Sequence, residues 1–162
     1  MPVEIRAFRP ADLHTILEIA VAAWRPIFAS FREIIGDELF DLTTPDPDDK
    51  KRQQVTRACQ DDSPTIVWVA EFDDEIAGFI TVDMNHETLV AEIGNNAVSP
   101  NHQHRGIGTQ MYEFVLDYMR QSGMKYAIVE TGGDESHAPA RRAYEKVGFA
   151  GAVPSVVYHL KL

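Results

Sequence analysis

The most constraining feature of this chain is a stretch of twelve residues, Val98–Thr109, in which apolar periodicity stops and two glycines stand close together. A strand pattern runs into this stretch, and a helical pattern starts at Ile107. Gly106 and Gly108 lack a Cβ, so backbone N–H groups can converge on one point at the turn. The first turn of the helix adds unpaired N–H groups and positive partial charge. The stretch therefore predicts a phosphate or pyrophosphate site, to which Arg105 can add a charge-assisted hydrogen bond.

The rest of the chain alternates between strand and helix patterns, which predicts one α/β domain over residues 1–162. We expect a mixed, largely antiparallel sheet of six or seven strands flanked by helices. Gly94, inside the fourth strand pattern, predicts a bulge or a close backbone approach. The predicted strands cover residues 3–8, 65–72, 76–84, 89–99, 125–131 and 156–162. The first two predicted helices run from Leu13 to an end at Pro26 and over residues 28–42, with an interruption at Gly36. The other three cover residues 50–60, a segment from Ile107 that stops at Gly123, and a segment from Pro139 to Gly148.

Charge and cysteine content restrict the class of function. Lys and Arg number 15 and Asp and Glu number 25, which gives a formal net charge of −10. Such a field repels a phosphate backbone and disfavours a nucleic-acid partner. The single cysteine, Cys59, cannot form an internal disulfide, which fits a reducing compartment. The N-terminus carries no signal-peptide pattern and no segment is long enough to span a bilayer, so we expect a soluble, cytoplasmic protein with no membrane partner.

Two motifs resemble those of the GNAT superfamily of N-acetyltransferases. The family has Gln/Arg-x-x-Gly-x-Gly/Ala at a strand-to-helix turn, and Gln103, Gly106 and Gly108 match it. About 35 residues further on, it has an Asn-x-x-Ala-x-x-x-Tyr-Glu-Lys-x-Gly-Phe element. The family's Asn is His137 here. The element is matched by Ala140, Tyr144, Glu145, Lys146, Gly148 and Phe149.

The resemblance implies a fold, a co-substrate and roles for particular residues. Acetyl-coenzyme A would lie where the fourth and fifth strands splay apart, with its pyrophosphate at the glycine-rich turn. The backbone at Val98 would bind the thioester carbonyl, and Tyr144 would protonate the departing thiolate. Tyr144 also belongs to an apolar helical stripe, which is the pattern of a core residue. The residues implied to bind the co-substrate are Ala97, Val98, Gln103, His104, Arg105, Gly106, Ile107, Gly108, Thr109, His137 and Ala140.

A general base has to take a proton from the acceptor amine. Glu92 is the first candidate because, without a bulge, it lies on the same strand face as Val98. The alternative is that Glu92 is a solvated or ion-paired strand carboxylate. His86, His137 and Asp83 are weaker candidates for the base. Cys59 lies in a polar helix far from the motif in sequence, so we expect direct transfer in a ternary complex rather than a covalent acetyl-enzyme.

The acceptor implied by the resemblance is a primary amine of a small molecule or peptide. We expect its pocket to come from the segment Trp24–Phe31 and the turn Asn85–Glu87. Homodimers are common in the family, so a homodimer is compatible with the resemblance. A catalytically idle acyl-coenzyme A sensor or interaction module would carry the same motifs and stays open as the alternative.

Three other site classes fit the sequence poorly. A dinucleotide-binding turn is disfavoured because Met111 occupies the third glycine position and because seven residues separate the strand from Gly106. A nucleotide-phosphate loop requires a Gly-Lys pair, which the sequence lacks. His102 and His104 have no specific metal-ligand spacing to other candidate ligands, so we expect no metal site.

Overall fold

The core of the fold is a five-stranded sheet in the order β1-β2-β3-β4-β5. The computed structural model describes residues 3–162. Neighbouring strands are antiparallel from β1 to β4, whereas β4 and β5 are parallel. The strands are β1 Glu4–Ala7, β2 Ile66–Phe72, β3 Glu75–Asn85, β4 Val90–Val98 and β5 Tyr126–Val129. The predicted α/β class with a mixed, mostly antiparallel sheet is confirmed.

Five α-helices flank this sheet, and the first is longer than the sequence predicts. The helices are α1 Leu13–Ile35, α2 Asp37–Thr43, α3 Pro47–Ala58, α4 Ile107–Gln121 and α5 Ala138–Lys146. The prediction that α1 ends at Pro26 is wrong. Proline removes one helical hydrogen bond, but aromatic packing around Pro26 keeps the helix continuous. The ring centres of Trp24 and Phe28 lie 5.6 Å apart, and those of Phe28 and Phe40 lie 6.3 Å apart. The break falls instead at Gly36, where φ is +84°.

Two layers of helices cover opposite faces of the sheet. α4 places buried residues at four-residue intervals, which is the spacing of one helix face. These residues and Tyr144 of α5 pack with Ile80 and Ile93 of the sheet, while α1 and α3 pack with Phe79 and Ala97 on the other face. We refer to these as the α4/α5 face and the α1/α3 face. Within residues 3–162, no helix combines the length and the apolar character needed to cross a bilayer.

The sheet parts between β4 and β5. Their parallel pairing ends at Ile93 and Val129, whereas β4 continues to Val98. The register between β3 and β4 also shifts by one residue, from Val82↔Ile93 to Ile80↔Asn96, which marks a bulge in β4. The bulge that the sequence predicts at Gly94 is confirmed. A Cβ on Gly94 would lie 2.7 Å from Thr81 Oγ1, so a larger side chain would clash there.

The C-terminal segment is not part of the sheet. The sequence predicts a strand over residues 156–162, but this segment has no regular structure and is exposed. The prediction of six or seven strands is therefore wrong, because residues 3–162 form five. The β-branched composition of the segment favours an extended chain, yet a strand forms only with a hydrogen-bonding neighbour. Here Lys161 instead makes an ion pair with Glu38 at 2.7 Å.

An ion-pair network at the start of the chain gives the first testable prediction. Arg6 donates two hydrogen bonds to the carboxylate of Asp12, at 2.7 and 3.0 Å, and also binds Glu71. Asp12 is only 6% exposed. Removing one partner of a buried pair leaves a costly unpaired charge. We therefore expect Arg6→Met to lower the free energy of unfolding at pH 7 by about 3 kcal/mol in urea titrations.

The pH dependence of this effect follows from the same contacts. The hydrogen bonds from Arg6 lower the pKa of Asp12 in the folded state, more than its burial raises it. This stabilisation is present above the usual aspartate pKa of about 3.9 and is lost as the pH falls through the folded value. The difference between Arg6→Met and wild type should therefore narrow below about pH 4. Arg25→Met, which breaks the exposed pair with Asp48, is the control, and its effect on the free energy of unfolding should be much smaller. If Arg6→Met lowered the free energy of unfolding no more than Arg25→Met does, the Arg6–Asp12 pair would not stabilise the fold as proposed.

Candidate active site at the parted strands

The main chain of β4 offers free hydrogen-bonding groups where β5 turns away. Ser99 donates its N–H to the carbonyl of Ala77 in β3, at 2.7 Å. Because backbone groups of a strand alternate between its two edges, Ala97 also faces β3, and Asn96 and Val98 face the opposite edge. No β5 residue pairs with β4 beyond Ile93 in the described chain. The N–H groups of Asn96 and Val98 are therefore directed into the gap.

A tyrosine hydroxyl lies beside this gap, held by an asparagine. Asn96 donates through Nδ2 to the hydroxyl oxygen of Tyr144 at 3.2 Å, and Tyr112 donates to Oδ1 of Asn96 at 2.8 Å. Because Asn96 is the donor, the proton of Tyr144 remains for another acceptor. The rings of Tyr112 and Phe149 lie 5.0 and 6.0 Å from the ring of Tyr144. Tyr144 is both a core residue and a hydroxyl group at the parting of the strands.

The two tyrosines differ in their role within this cluster. Burial, and secondarily the proximity of Tyr144, raises the pKa of Tyr112 far above its ordinary value. Tyr112 therefore stays protonated and fixes the orientation of the Asn96 carboxamide. The Asn96 side chain also donates to the carbonyl of Gly94 at 3.0 Å, across the bulge. The sequence analysis missed Asn96, although two consecutive asparagines in a strand, a position that disfavours them, are a usable signal.

The turn before α4 has the open backbone that its glycines predict. Gly106 is left-handed, with φ of +77°, and His104 has φ of +62°. The first helical bond runs from the N–H of Gln110 to the carbonyl of Gly106, at 3.1 Å. The N–H groups of Ile107, Gly108 and Thr109 precede it and have no partner within the helix. This helix terminus therefore presents several N–H donors and positive partial charge to an anion.

Side chains around the turn connect it to β4. Gln103 donates through Nε2 to the carbonyl of Val98 at 3.3 Å, and Gly108 would place a Cβ 3.7 Å from Val98 Cγ2. Arg105 is exposed, with its guanidinium 5.4 Å from the centre of the Phe72 ring. The turn and the open edge of β4 are thus adjacent, and a single extended ligand can contact both.

The side chains of four other residues that the resemblance implies for the co-substrate lie in or against the core, or in the loop before α5. Ala97 pairs with Phe79 and packs on the α1/α3 face, and Ile107 is in the core beneath α4. Ala140 packs against the same core from α5. His137 is buried, and its Nδ1 lies 2.7 Å from Asp134 Oδ1. The His137 imidazole is thus engaged by a carboxylate of its own loop.

The loop between β5 and α5 is tied to the C-terminal half of α1. The His137 ring stacks on Phe31 at 5.8 Å and meets the edge of Trp24 at 6.0 Å. Burial would raise the pKa of Asp134, but hydrogen bonds from Ser136 and His137 outweigh it and hold the pKa at about 2. The rings of Trp24, Phe31 and His137 thus form an aromatic wall. Trp24 and Phe31 belong to the segment Trp24–Phe31, for which the sequence predicts the acceptor pocket. The turn Asn85–Glu87 lies at the end of β4 away from Val98, so the structure does not bring it to this wall.

Glu92 lies on the opposite face from Val98. Ala91 and Ile93 point into the α4/α5 core, so Glu92 between them points to the α1/α3 face, where it is exposed. The expectation that Glu92 and Val98 share a face assumed a regular strand. The bulge adds one residue between them and reverses the alternation of β4.

The family model described as "Acetyltransferase (GNAT) family" matches residues 28–149, about three quarters of the chain. This match covers both the parted strands and the turn before α4. The chain belongs to the GNAT acetyltransferase family. Acetyl-coenzyme A is the co-substrate of this family, and the open N–H groups at the turn and along β4 fit a pyrophosphate and an extended amide-containing arm.

Individual relatives agree with this family membership. The chain is 28% identical to a streptothricin acetyltransferase of Streptomyces lavendulae over 159 residues, covering 91% of this chain and 81% of the relative. It is 24% identical over 158 residues to the probable N-acetyltransferase camello of Xenopus tropicalis, covering 90% of this chain. That match spans 64% of the Xenopus protein, less than two thirds of its length.

A solved structure confirms the GNAT fold. The PaiA N-acetyltransferase of Thermoplasma acidophilum, in complex with coenzyme A, superposes with a TM-score of 0.68 at 22% identity. The superposition covers 93% of this chain and 91% of the Thermoplasma protein. At this identity the likeness shows the fold alone.

Proposed function

We propose that this GNAT protein transfers an acetyl group from acetyl-coenzyme A to a primary amine of a small molecule or peptide, by direct attack in a ternary complex. The observation that carries the proposal is the meeting of three features at one gap: the free N–H of Val98, the Tyr144 hydroxyl and the open helix terminus at Gly106–Thr109. A binding module needs the open turn and the strand edge, but it has no need for the hydroxyl. The hydroxyl therefore favours an enzyme.

Binding begins with the anionic part of the donor at the turn. The N–H groups of Ile107, Gly108 and Thr109 would donate to the pyrophosphate, and Arg105 would add a charge-assisted hydrogen bond. From there the donor's arm would run along the free edge of β4. The arm carries amide groups, which would pair with main-chain groups of this edge other than the N–H of Val98, as a short extra strand would. Gln103 would position the turn through its hydrogen bond to the carbonyl of Val98, and His104 through its left-handed backbone.

The chemical step forms a bond between the amine nitrogen and the carbonyl carbon of the thioester. Negative charge then develops on the carbonyl oxygen, and the N–H of Val98 would stabilise it. Losing a comparable donor in other acyl transfers costs about 10²–10³ in rate. Because this donor is a backbone group fixed by pairing of β4 with β3, it needs no reorganisation during the reaction.

The second half of the step breaks the carbon–sulfur bond. The sulfur takes the electron pair, and the Tyr144 hydroxyl would supply its proton. Asn96 donates to the Tyr144 oxygen, which stabilises the phenolate that forms. The amine nitrogen loses a proton as the amide forms, and this proton restores Tyr144. Asn96 is thus a positioning residue for the acid.

Direct transfer agrees with the state of the only cysteine. Burial raises the pKa of the Cys59 thiol to about 11, so little thiolate exists at neutral pH. Cys59 lies just after α3, beside Phe8 and Leu13, and not at the parted strands. A covalent acetyl-cysteine is therefore not part of the proposal.

Coenzyme A binding is the first test. At a concentration of 100 times its dissociation constant, coenzyme A should stabilise the fold by about 2.7 kcal/mol, measured as a rise in melting temperature. Adenosine, which has the base but no pyrophosphate, is the control and should give a smaller rise. Equal rises with both compounds would contradict the assignment of the turn. A rise with coenzyme A but no turnover of any amine would favour the idle acyl-coenzyme A module.

A further inference from the structure

A buried lysine lies on the α1/α3 face, directly behind the parted stretch of β4. Lys51 of α3 is 2% exposed, yet its amine is in a polar setting. Its Nζ donates to Asn95 Oδ1 at 2.7 Å and to Gln54 Oε1 at 3.3 Å, and it lies 3.5 Å from the centre of the Trp24 ring. Fully buried lysines without a charged partner are rare. This placement calls for a functional reason.

The amine and the Tyr144 hydroxyl flank the same stretch of strand from opposite faces. Asn95, which binds Lys51, and Asn96, which binds Tyr144, are consecutive residues of β4. Both follow the last residue that pairs with β5. The thickness of one strand therefore separates a proton donor on the α4/α5 face from an amine on the α1/α3 face. A thioester placed at the gap would have the Tyr144 hydroxyl on one side and the Lys51 amine on the other.

No counter-charge holds Lys51 in its ammonium form. None of the ion pairs formed among residues 3–162 includes it. Burial lowers its pKa to about 7, while the face of Trp24 favours the cation. At neutral pH a large fraction of the side chain is then the free amine. A free amine has a lone pair that accepts a proton, and Trp24 stabilises the ammonium that results.

A cavity lies next to the two residues that accept hydrogen bonds from Lys51. This cavity of about 230 Å³ between α3 and the sheet is lined by both acceptors, Asn95 and Gln54, and by Arg57 and Asp83. Asp83 is engaged by Thr65 at 2.6 Å.

On the α1 side, His137 packs behind Trp24 and is paired with Asp134. On α3, Arg52 pairs outward with Glu18. On β4, Glu92 is exposed on the same face as the cavity. None of these groups forms an ion pair with the Lys51 amine.

We propose that Lys51 is the general base that takes a proton from the attacking amine, directly or through one water. The inference rests on the proposed function and replaces Glu92 in that role. The acceptor enters as an ammonium and gives one proton to Lys51 Nζ, and its nitrogen lone pair then forms the bond to the acetyl carbon. Its second proton ends on the departing sulfur by way of Tyr144. Lys51 afterwards returns its proton to solvent, so protons and electrons balance.

The test compares pH profiles of kcat/KM for three substitutions. In wild type, kcat/KM should rise with pH up to a plateau governed by a group near pH 7. Lys51→Met keeps the volume but removes the base, and it should abolish this rise and lower kcat by about 10²-fold or more. Lys51→Arg keeps a permanent cation and should behave like Lys51→Met. Lys50→Met changes the exposed neighbour on the same helix and should match wild type. Melting temperatures and coenzyme A affinity separate chemistry from folding.

A titration that needs no acceptor supports or overturns the inference independently. NMR of uniformly ¹³C,¹⁵N-labelled protein, correlating the Cε and Nζ of each lysine and with Lys51→Met to assign the signal, should show Lys51 titrating near pH 7. A value close to the ordinary lysine pKa of about 10.4 would overturn the proposal. The proposal would also be overturned if kcat/KM of Lys51→Met still rose with pH as in wild type, or if only Glu92→Gln lost this rise. A wild type that acetylates no amine contradicts the proposed function instead, whatever the lysine titration shows.

Discussion

Replacing Tyr144 with Phe is expected to lower kcat about 10²–10⁴-fold, which is the usual contribution of one positioned proton donor. The substitution removes the hydroxyl that would protonate the departing sulfur and keeps the ring that packs on Tyr112 and Phe149. Affinity for coenzyme A and the melting temperature should therefore change little. Steady-state release of the thiol of coenzyme A measures the effect.

A second tyrosine provides the matched control. Tyr118 of α4 packs its ring on Trp68 at 5.1 Å, away from the parted strands. Tyr118→Phe deletes the same atom and should leave kcat unchanged. If Tyr144→Phe retained full turnover, the assignment of the acid would be wrong. Equal losses in both variants would indicate a general effect on folding.

The second large effect concerns the turn before α4. We expect Gly108→Val to weaken coenzyme A binding by roughly 10–100-fold, equivalent to losing one charge-assisted hydrogen bond. A Cβ at this position would lie 3.7 Å from Val98 and 3.9 Å from Tyr112, which is ordinary van der Waals contact, and the melting temperature checks that the two methyl groups are tolerated as well. The two methyl groups would then occupy the space through which a ligand reaches the N–H groups. Isothermal titration calorimetry with coenzyme A gives the dissociation constants.

The control for this substitution is Gln110, which lies in the first helical turn of α4. Gln110 is exposed, and Gln110→Val introduces the same β-branched side chain away from the glycine-rich turn before α4. Its affinity for coenzyme A should equal that of wild type. Unchanged binding in Gly108→Val would show that the main-chain amides of this turn do not hold the pyrophosphate.

The sequence predicts those parts of the site that depend on local backbone chemistry. The glycines at 106 and 108 indicate an open turn because no other residue frees the backbone in this way. Gly94 predicts the bulge for the same reason, and the register shift confirms it. The α/β class follows from the alternation of strand and helix patterns, which each segment carries on its own.

Other features depend on contacts between distant segments, and the sequence does not reveal them. α3 has a polar composition, and nothing local indicates that Lys51 is buried. Its burial results from Trp24 and Asn95, which are distant in the chain. The continuation of α1 through Pro26 likewise depends on packing against α2 and the loop before α5. Propensity alone argues for a helix end at Pro26 and for a strand over 156–162, and tertiary structure overrides both.

The position of Glu92 shows how one residue can change an inference about a site. Strand alternation puts Glu92 and Val98 on one face only if β4 is regular. The sequence indicated a bulge but not its register, and a single added residue reverses the face. The carboxylate then lies on the α1/α3 face, opposite the Val98 side chain, and beside the stretch of β4 that still pairs with β5.

Release of coenzyme A thiol from acetyl-coenzyme A, measured with and without a panel of primary amines, tests the central claim most directly. The panel should include streptothricin, since one relative is named for its acetylation. We predict that at least one amine raises thiol release well above the hydrolysis background, with the acetylated amine formed in equal amount. Thiol release that no amine increases, in a protein that coenzyme A stabilises, would contradict the claim that this chain is an N-acetyltransferase.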